Sequence, residues 1–461
     1  MLTLRCGQAL LPSGWVADVE LDLGLDGRIE QIRTPDGEDS ETLELPLGPR
    51  IDLPGLVIPG MANAHSHAFQ RALVGRAEVG PRGAPDSFWS WREAMYGVAA
   101  DLDEPTLEAI ARQLFVEMLE AGYTGVGEFH YLHNRPDGHA YVPPGRLGHA
   151  LLRAAAEVGL SMTLLPVLYL HGGFDQLPSE RQRRFTHRSL LGFGRLLESL
   201  GRALEPGQRL GVAPHSLRAV DPESLRAVVA LADEQLGPDA PIHIHVSEQT
   251  DEVSACIAAL GTSPIAALAQ TVELGPRWCL VHATHATEAE LRAIRDSGAV
   301  IALCPTTEAN LGDGRFPLAG HVEAGGRMAI GTDSQVTVDP AEELRWLEYQ
   351  ARLESRSRNV LQPSGEHLGA HLWQLAASGG ARALGTGTGE IRVGARADLV
   401  ELDPDHPRLV GLSPDAALDA HVLGARALRS VVVGGQMRVR EGRHPRRDEI
   451  AAAYRAAIRR L

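Results

Sequence analysis

Short apolar runs alternate with amphipathic segments through most of the chain. In the segment 107–121 apolar residues recur at helical spacing and Gly122 ends the pattern, which predicts a helix. The apolar runs are interpreted as buried strands, and they cover residues 56–59, 125–129, 162–170, 210–213, 242–246, 279–281, 300–304 and 328–331. Strand and helix units repeated in this way predict an α/β protein built as a (β/α)8 TIM-type barrel, whose chemistry lies at the C-terminal ends of its strands.

The two chain ends have a different pattern. Both alternate short apolar runs with turn signals, such as Asp26-Gly27 near the start and the run 431–435 near the end, which is typical of hairpins. We therefore predict a small β-sandwich domain formed by residues 1–56 and 388–461, and a barrel domain formed by residues 57–387. A doubly wound open sheet is the alternative fold, but no GxGxxG motif follows the first predicted strand.

The composition is that of a globular protein with a large core. The chain has 461 residues, of which 44% are hydrophobic and 22% charged, and this excludes a disordered or fibrous protein. A net charge of −15 argues against binding to nucleic acid or to an anionic membrane surface. The four cysteines show no CxxC spacing, and no apolar run approaches a membrane span, so we expect a cytoplasmic protein.

The chain contains no lysine, so all 44 basic side chains are arginines. This excludes a Schiff-base lysine, a phosphate-loop lysine and a carbamylated lysine that bridges two metal ions. Arginine keeps its proton in proteins, so these residues can bind anions but cannot act as proton-transfer bases.

Histidines and carboxylates follow several of the predicted strands. His65 and His67 are separated by one residue after the first strand, so both imidazoles can face one ion in an extended segment. The fifth strand contains His243 and His245, with Glu248 just beyond it. His245 lies nearer the strand end and is the expected ligand, whereas His243 is the alternative ligand or a packed histidine.

The sixth strand ends in His282, and the eighth ends just before Asp333. Because buried imidazoles and carboxylates need partners, several such strand ends on one face of a barrel indicate a site rather than packing. Three histidines and one carboxylate suit zinc with one open position for water. Glu248 and His282 are then candidates to move the protons that a hydrolysis requires.

Two arginines lie where a substrate would enter. Arg218 follows the fourth strand beside His215, and Arg92 lies in the long segment after the first strand, which we expect to cover the barrel mouth as a lid. A single arginine among many is usually a solvated surface group. Planar guanidinium groups match carboxylates with paired hydrogen bonds, so this pair favours a substrate that carries carboxylates.

These residues resemble those of the amidohydrolase superfamily, with HxH after strand one, HxxE after strand five, histidine after strand six and aspartate after strand eight. The run 389–400 is similar to the return of that superfamily's chain to its sheet domain. Binuclear members use a lysine of strand four between two metals, so a chain without lysine implies the single-metal deaminase branch. The resemblance implies the metal ligands His65, His67, His245 and Asp333, and the catalytic residues His282, Glu248 and Asp333.

Local runs resemble more narrowly the family of formimidoylglutamate deiminases. These runs are residues 65–72, 87–93, 127–133, 213–220 and 304–314. The resemblance implies a zinc-dependent, homodimeric hydrolase that removes ammonia from a small anionic glutamate derivative, N-formimidoyl-L-glutamate. It implies the substrate-binding residues Gln70, Arg92, Tyr131, His215 and Arg218. The chain departs from the family pattern at Asn134 and Gln335, where histidines are common. Neither departure removes a predicted metal ligand, and both concern contacts around the metal ligands or with the substrate.

Two alternatives remain open from the sequence. One is a related deaminase that acts on a purine or another aromatic base, for which the two arginines would have little use. The other is a barrel without catalytic activity that serves as a scaffold, for which an intact set of metal ligands would have no purpose.

Overall fold

A computed structural model describes residues 2–35, 48–80, 86–387 and 389–461. Its strands are β1 (Leu2–Leu11), β2 (Gly14–Leu23), β3 (Ile29–Arg33), β4 (Arg50–Pro59), β5 (Met61–Ser66), β6 (Tyr123–His130), β7 (Ser161–Leu168), β8 (Gln208–Leu210), β9 (Ala213–Pro214), β10 (Ile242–Val246), β11 (Trp278–His282), β12 (Val300–Leu303), β13 (Arg327–Ile330), β14 (Leu399–Leu402), β15 (Leu428–Val433) and β16 (Gln436–Val439).

The α-helices lie between and beyond these strands. They are α1 (Phe88–Asp101), α2 (Glu104–Ala121), α3 (Arg146–Val158), α4 (Leu190–Gly201), α5 (Pro222–Leu236), α6 (Thr250–Leu260), α7 (Pro264–Thr271), α8 (Glu288–Ser297), α9 (Pro305–Leu311), α10 (Leu318–Glu323), α11 (Pro340–Ser355), α12 (Leu368–Leu384), α13 (Pro414–Ala420) and α14 (Arg447–Ile458). Short 3-10 turns cover Ala68–Leu73 and Glu180–Gln182, and a π-helical turn covers His421–Ala425.

Parallel strands form a closed barrel in the order β5, β6, β7, β8 with β9, β10, β11, β12 and β13. The last strand returns to the first through the pair Ile330 and Asn63. The fourth strand is split into β8 and β9, and the bridge between Val212 and Ile242 joins it to β10. The sequence prediction of a (β/α)8 barrel with a small β-rich part built from both chain ends is therefore confirmed.

The chain ends meet in one seven-stranded sheet with the order β16, β15, β14, β4, β1, β2 and β3. Within it β1 pairs with β4 in parallel, and the other pairs are antiparallel. The domain boundaries given above, 1–56 with 388–461 and 57–387, stay predictions. Residues 1, 36–47, 81–85 and 388 of those ranges lie outside the described residues.

The first barrel strand differs from the sequence prediction. The predicted strand 56–59 is the end of β4 and pairs with β14 of the terminal sheet, whereas β5 is the first strand of the barrel. Both segments are buried and run consecutively with only Gly60 between them, so their hydrophobicity could not decide which sheet each joins. As a result His65 lies within the first barrel strand, and His67 directly follows it.

Local signals explain where the helices begin and end. Asp103 caps α2 by accepting a hydrogen bond from the backbone of Thr106, and Gly122 ends the helix in the left-handed region at a φ of 105°. The indole of Trp373 on α12 donates to the carbonyl of Pro59, which ties this helix to the junction of the two sheets. Among the described residues no single helix is long and apolar enough to cross a membrane, although α6 and α7 pass that test as a pair bent by 49°.

Candidate active site

Three histidines and an aspartate meet at the C-terminal end of the barrel. The ligand nitrogens of His65, His67 and His245 lie within 4.8 Å of one another, and so do the ligand atoms of His65, His282 and Asp333. The four side chains predicted as metal ligands come from β5, the residue directly after it, β10 and the loop after β13, and all are buried. The structure thus brings together residues that are up to 268 positions apart in the chain.

The spacing of the donor atoms suits a tetrahedral ion. Nε2 of His65 lies 3.1 Å from Nε2 of His245. An oxygen of Asp333 lies 3.3 Å from Nε2 of His67 and 3.6 Å from Nε2 of His65. Zinc with bonds of about 2.0–2.1 Å separates neighbouring tetrahedral ligands by about 3.3 Å. The donor set therefore fits one ion of this kind.

Hydrogen bonds on the far side of two rings set their tautomers. Nδ1 of His67 lies 2.8 Å from the carbonyl oxygen of Phe129, and Nδ1 of His245 lies 3.2 Å from that of His215. A carbonyl oxygen only accepts, so each Nδ1 carries the hydrogen and each Nε2 presents a lone pair to the cluster. This is the form of imidazole that binds a metal.

The electrostatics favour neutral imidazoles beside an ionised carboxylate. Burial lowers the pKa of His65 to about 3 and lowers those of His67 and His245 as well. Burial alone would raise the pKa of Asp333, but the hydrogen bond from His65 and the charges of neighbouring histidines outweigh it and lower that pKa. All four side chains are therefore in the protonation state that a metal requires.

The candidate proton-transfer groups lie next to this cluster. Nε2 of His282 is 3.7 Å from an oxygen of Asp333 and 3.8 Å from an oxygen of Glu248. Burial would lower the pKa of His282, but Glu248 and the neighbouring carboxylates raise it to about 10. Burial raises the pKa of Glu248, against the opposing effect of His282 and Arg218.

Glu308 is a residue of this site that the sequence analysis missed. Its Oε1 lies 3.2 Å from Nδ1 of His282 and accepts a hydrogen bond of 2.9 Å from the backbone of Cys304. Both Glu308 and His282 are buried. Glu308 lies in the run 304–314, which is one of the runs that resemble the family. That motif is the only sequence feature that could have indicated a role for Glu308, because its contact with His282 cannot be read from the sequence.

A second set of buried groups holds the histidine pair in place. Glu128 accepts hydrogen bonds from Ser66, at 2.8 Å, and from the backbone of Ala68, at 2.7 Å, on either side of His67. The amide of Gln335 donates to Ser66 at 3.0 Å and to the carbonyl of Asp333 at 2.7 Å. Gln335, a departure from the family pattern, thus links the loop that carries Asp333 to the loop that carries His67.

The loops that present these groups are strained. The residues Ser247, His282, Ala283, Asp333 and Gln335 all have positive φ angles, between 45° and 69°. Such left-handed backbone costs of the order of 1–3 kcal/mol for a residue other than glycine, and it persists where surrounding contacts hold it. These left-handed residues lie at the ends of β10, β11 and β13, where the backbone directs side chains toward the histidine and aspartate cluster.

The pocket above the cluster contains both predicted arginines. Arg92 from α1 and Arg218 from the loop after β9 line it together with His67, His245, His282 and Asp333. Within the described residues neither guanidinium forms an ion pair, and Nε of Arg92 and Nη1 of Arg218 are buried without a hydrogen bond. Burial would lower the pKa of Arg218, but the nearby carboxylates of Glu252 and Glu248 raise it. Trp89 stacks on Arg92 at 4.4 Å, which supports the group from one side. The pocket thus contains two positive charges that are available to bind an anionic ligand.

The other predicted substrate contacts line the same pocket. They are Gln70, Tyr131 and His215, and the amide of Gln70 donates to the Tyr131 hydroxyl at 2.7 Å. The sequence analysis missed the aromatic walls formed by Tyr169 and Phe185. Tyr169 directly follows β7, so its strand-end position was the signal that could have found it.

Two further residues have structural partners. Nε2 of His243 lies 2.8 Å from the carbonyl of Ala383, deeper in the barrel than His245. The amide of Asn134 donates to the carbonyls of Arg183 and Thr186, at 3.0 and 2.7 Å. Neither residue lines the pocket above the cluster.

Comparison with known proteins agrees with this geometry. Residues 56–438 match the amidohydrolase family. The chain belongs to this family. Residues 3–40 match the N-terminal domain of formimidoylglutamate deiminase HutF. This amidohydrolase is 46% identical over 460 residues to formimidoylglutamate deiminase of Pseudomonas aeruginosa, with 98% of each chain covered.

Other proteins are similar over nearly the whole chain. The 5-methylthioadenosine/S-adenosylhomocysteine deaminase of Halobacterium salinarum is 28% identical, with 99% of this chain and 97% of that one covered. The crystal structure of an amidohydrolase from Brucella melitensis superposes with a TM-score of 0.91 at 42% identity, covering 100% of this chain and 99% of that one. The chain is therefore a member of a family of C–N hydrolases and a homologue of formimidoylglutamate deiminase, and its relation to purine-nucleoside deaminases is weaker.

Proposed function

We propose that this amidohydrolase converts N-formimidoyl-L-glutamate and water to N-formyl-L-glutamate and ammonia, with one zinc ion bound per chain. The observation that carries the proposal is the pair Arg92 and Arg218, which line the same pocket as the histidines and Asp333 and form no ion pair with a carboxylate in the described part of the chain. The 46% identity to formimidoylglutamate deiminase supports it.

The pocket suits a substrate with two carboxylates and one amidine. Arg92 and Arg218 bind the carboxylates through paired hydrogen bonds, because a guanidinium fork matches a carboxylate in shape and charge. His215, Gln70 and Tyr131 complete the binding site from the opposite wall. The formimidoyl carbon then lies toward His282 and Asp333.

His65, His67, His245 and Asp333 would hold the zinc ion. When bound, zinc acts as a Lewis acid that lowers the pKa of a water molecule toward 7 and makes it a nucleophile. The donor spacing and tautomers described above are the support for this assignment. A cation at this position would also lower the pKa of His282, because the positive charge of the ion disfavours a protonated imidazole beside it.

The chain's own groups move the protons. His282 orients the attacking water and accepts its proton at Nε2, since Glu308 holds the hydrogen on Nδ1. Glu248, whose pKa burial raises, protonates the departing nitrogen. Asp333 relays a proton between them. A C–O bond forms, and the terminal nitrogen receives both protons of the water molecule, the first during the attack and the second from the new hydroxyl group as the carbonyl forms. The C–N bond to that nitrogen then breaks, and ammonia leaves the formyl product.

An ammonia-release assay tests the proposal. The purified protein is compared on N-formimidoyl-L-glutamate, N-formyl-L-glutamate, guanine and adenosine, and we expect release from the first compound alone. Release from a purine would support the purine-deaminase alternative instead. Zinc is counted on the same sample by elemental analysis, and a protein that binds no metal and releases no ammonia would be a scaffold.

The proposal includes a homodimer in the cytoplasm. The relatives that the sequence resembles are commonly dimers, and the cysteine usage suits a reducing compartment. Light scattering on the zinc-loaded protein at several concentrations measures the oligomeric state, and a monomer at every concentration would contradict this part of the proposal.

A further inference from the structure

The side chain of Trp89 lies behind the two arginines of the pocket. Arg92 and Arg218 line both the pocket above the histidine and aspartate cluster and a neighbouring outer cavity of about 540 Å³. Among the residues that the structure describes, Trp89 lines the outer cavity and not the pocket. It therefore reaches the guanidinium groups from the side that faces away from the cluster, where it can act on the arginines without touching the substrate.

The indole ring of Trp89 contacts both guanidinium groups. Its centre lies 4.4 Å from Cζ of Arg92 and 6.0 Å from Cζ of Arg218. Trp89 and Arg92 are three positions apart on α1, so their side chains share one face of the helix. A cation within about 6 Å of an aromatic face is attracted to it, and tryptophan attracts it most strongly. Trp89 therefore offsets part of the repulsion between two like charges in one pocket.

The other aromatic residues of α1 each reach one arginine. The ring of Tyr96 lies 5.5 Å from Cζ of Arg92, and the ring of Phe88 lies 5.8 Å from Cζ of Arg218. In the described part of the chain Trp89 is the residue whose ring lies within 6.0 Å of both. Loss of this ring consequently affects the two arginines together.

A hydrogen bond to a neighbouring helix fixes the orientation of the ring. Nε1 of Trp89 donates to a carboxylate oxygen of Asp251 at 3.0 Å. Asp251 lies in the first turn of α6, and Glu252 in the same turn accepts a hydrogen bond of 2.9 Å from the backbone of Glu248. Trp89 thus joins the helix that carries Arg92 to the segment that carries Glu248.

We propose that Trp89 is a positioning residue that prepares the arginine pair for a ligand with two carboxylates. It supports both guanidinium groups from behind, and Asp251 holds its ring in the orientation that this contact requires. Because one ring supports two cations, the preference for two carboxylates over one depends on it. The identity of the substrate rests on the proposed function, whereas the preference for a dicarboxylate can be measured without turnover.

Steady-state kinetics of the full-length, zinc-loaded protein test this role. The substrates are N-formimidoyl-L-glutamate and 4-(formimidoylamino)butanoate, which carries the same amidine on a chain with one carboxylate. We expect Trp89→Leu to raise KM for the glutamate derivative about tenfold and to change kcat less, because contacts with two partly desolvated cations are lost. The ratio of kcat/KM between the two substrates should fall about tenfold, and a merely structural role would not change this ratio.

A second set of variants isolates the hydrogen bond. Trp89→Phe keeps an aromatic face but cannot donate to Asp251, and Asp251→Ala removes the acceptor. We expect each to raise KM about threefold, as one hydrogen bond is lost. The double variant should be no worse than Trp89→Phe alone, because both changes remove the same bond. Asp251→Asn keeps an accepting oxygen and should restore the parent KM.

The matched control is Trp346→Phe on α11, a tryptophan that is 39% exposed and lines neither the pocket nor the outer cavity. It should leave KM, the kcat/KM ratio and the zinc content unchanged. Trp89→Phe and Asp251→Ala decide the matter if Trp89→Leu fails to fold. An unchanged kcat/KM ratio in the Trp89 variants, or an equal change in Trp346→Phe, would overturn the role of Trp89.

Calorimetric titration separates this inference from the proposed function. The probes are glutarate, with two carboxylates, and butanoate, with one, and neither contains an amidine. We expect the parent protein to prefer glutarate and Trp89→Leu to lose about tenfold of that preference. A parent protein that releases no ammonia from N-formimidoyl-L-glutamate would overturn the proposed function while leaving this measurement to decide. The same preference for glutarate in the parent and in Trp89→Leu would overturn the role of Trp89 and not the proposed reaction.

Discussion

The contact between Glu308 and His282 shows how one residue sets the state of another. The 3.2 Å contact places the hydrogen of His282 on Nδ1 and leaves Nε2 to face Asp333 and Glu248. Glu308 itself is held by the backbone of Cys304. In the proposed reaction Glu308 is therefore a positioning residue, and His282 is the group that accepts the proton.

Replacing His282 separates catalysis from metal binding. We expect His282→Asn to keep zinc at the parent stoichiometry while kcat falls about 10²-fold or more, since general acid and base groups contribute about 10²- to 10⁴-fold. Elemental analysis and the ammonia assay on one preparation measure both quantities. The matched control is His139→Asn on the surface, which should change neither. Loss of zinc from the His282 variant would make this residue a ligand rather than a proton acceptor.

Replacing Arg218 tests the charge of the substrate. Arg218→Met keeps much of the apolar stem and removes the positive charge, so we expect kcat/KM for N-formimidoyl-L-glutamate to fall about 10²-fold, as a charged hydrogen-bonded pair is lost. Arg226→Met on the exposed face of α5 is the matched control. Steady-state kinetics give the ratio. An unchanged kcat/KM for Arg218→Met would contradict the role assigned to this arginine.

The separate residues of the site were visible in the sequence to different degrees. His65, His67, His245 and Asp333 stood at strand ends, where barrel geometry aims side chains at one point. Glu308 has no such position, because it lies on α9 and meets His282 only through the turn that follows β12. The sequence shows which residue types follow each strand. The contact between Glu308 and His282 depends in addition on how the segments after β11 and β12 fold.

Helix α1 is the element that brings Arg92 over the pocket. The carbonyls of Ala99 and Ala100 near its end, and that of Leu102 just beyond it, accept hydrogen bonds from the buried guanidinium of Arg184. A cation at this end of a helix also interacts favourably with the helix dipole. Arg184 thus fixes the C-terminal end of α1 to the body of the barrel.

Removing Arg184 should loosen α1 and with it the binding of substrate. Arg184→Met leaves several carbonyls without donors, and we expect KM to rise about tenfold while kcat changes less, because Arg92 is displaced and the catalytic groups are not. The control is Arg181→Met. That residue pairs with Glu93 of α1 on the surface, where both side chains are more than half exposed, and such a pair contributes little. Equal KM values for Arg184→Met and the parent protein would contradict the anchoring role.

At the scale of the whole molecule, the ligand cluster joins three distant strands. β5, β10 and the loop after β13 each contribute, and Gln335 and Glu128 link the loops at the same end. A cation held by the proposed ligands would therefore contact the closing strands of the barrel directly. Ligand binding to the folded state alone stabilises that state.

Removal of metal should consequently lower the stability of the protein. We expect chelation to lower the melting temperature and to abolish ammonia release, and addition of zinc to restore both. A ligand at 1,000 times its dissociation constant stabilises by about 4 kcal/mol. Differential scanning calorimetry measures the shift, and His282→Asn should show the same zinc-dependent shift as the parent. A melting temperature unaffected by chelator, in a protein shown to have lost its zinc, would contradict this prediction.

The pattern of apolar runs and the spacing of histidines were enough to predict a barrel with histidines and carboxylates at its strand ends, because periodicity and strand-end position are local properties. The single-metal ligand set was implied by the family resemblance together with the absence of lysine. Only the tertiary structure showed which of two consecutive buried segments is the first strand of the barrel. These segments are β4 and β5, which are separated by Gly60. The tertiary structure alone placed Glu308 against His282 and brought Arg92 and Arg218 into one pocket. These features depend on contacts between segments far apart in the chain, and such contacts follow from packing rather than from any local sequence pattern.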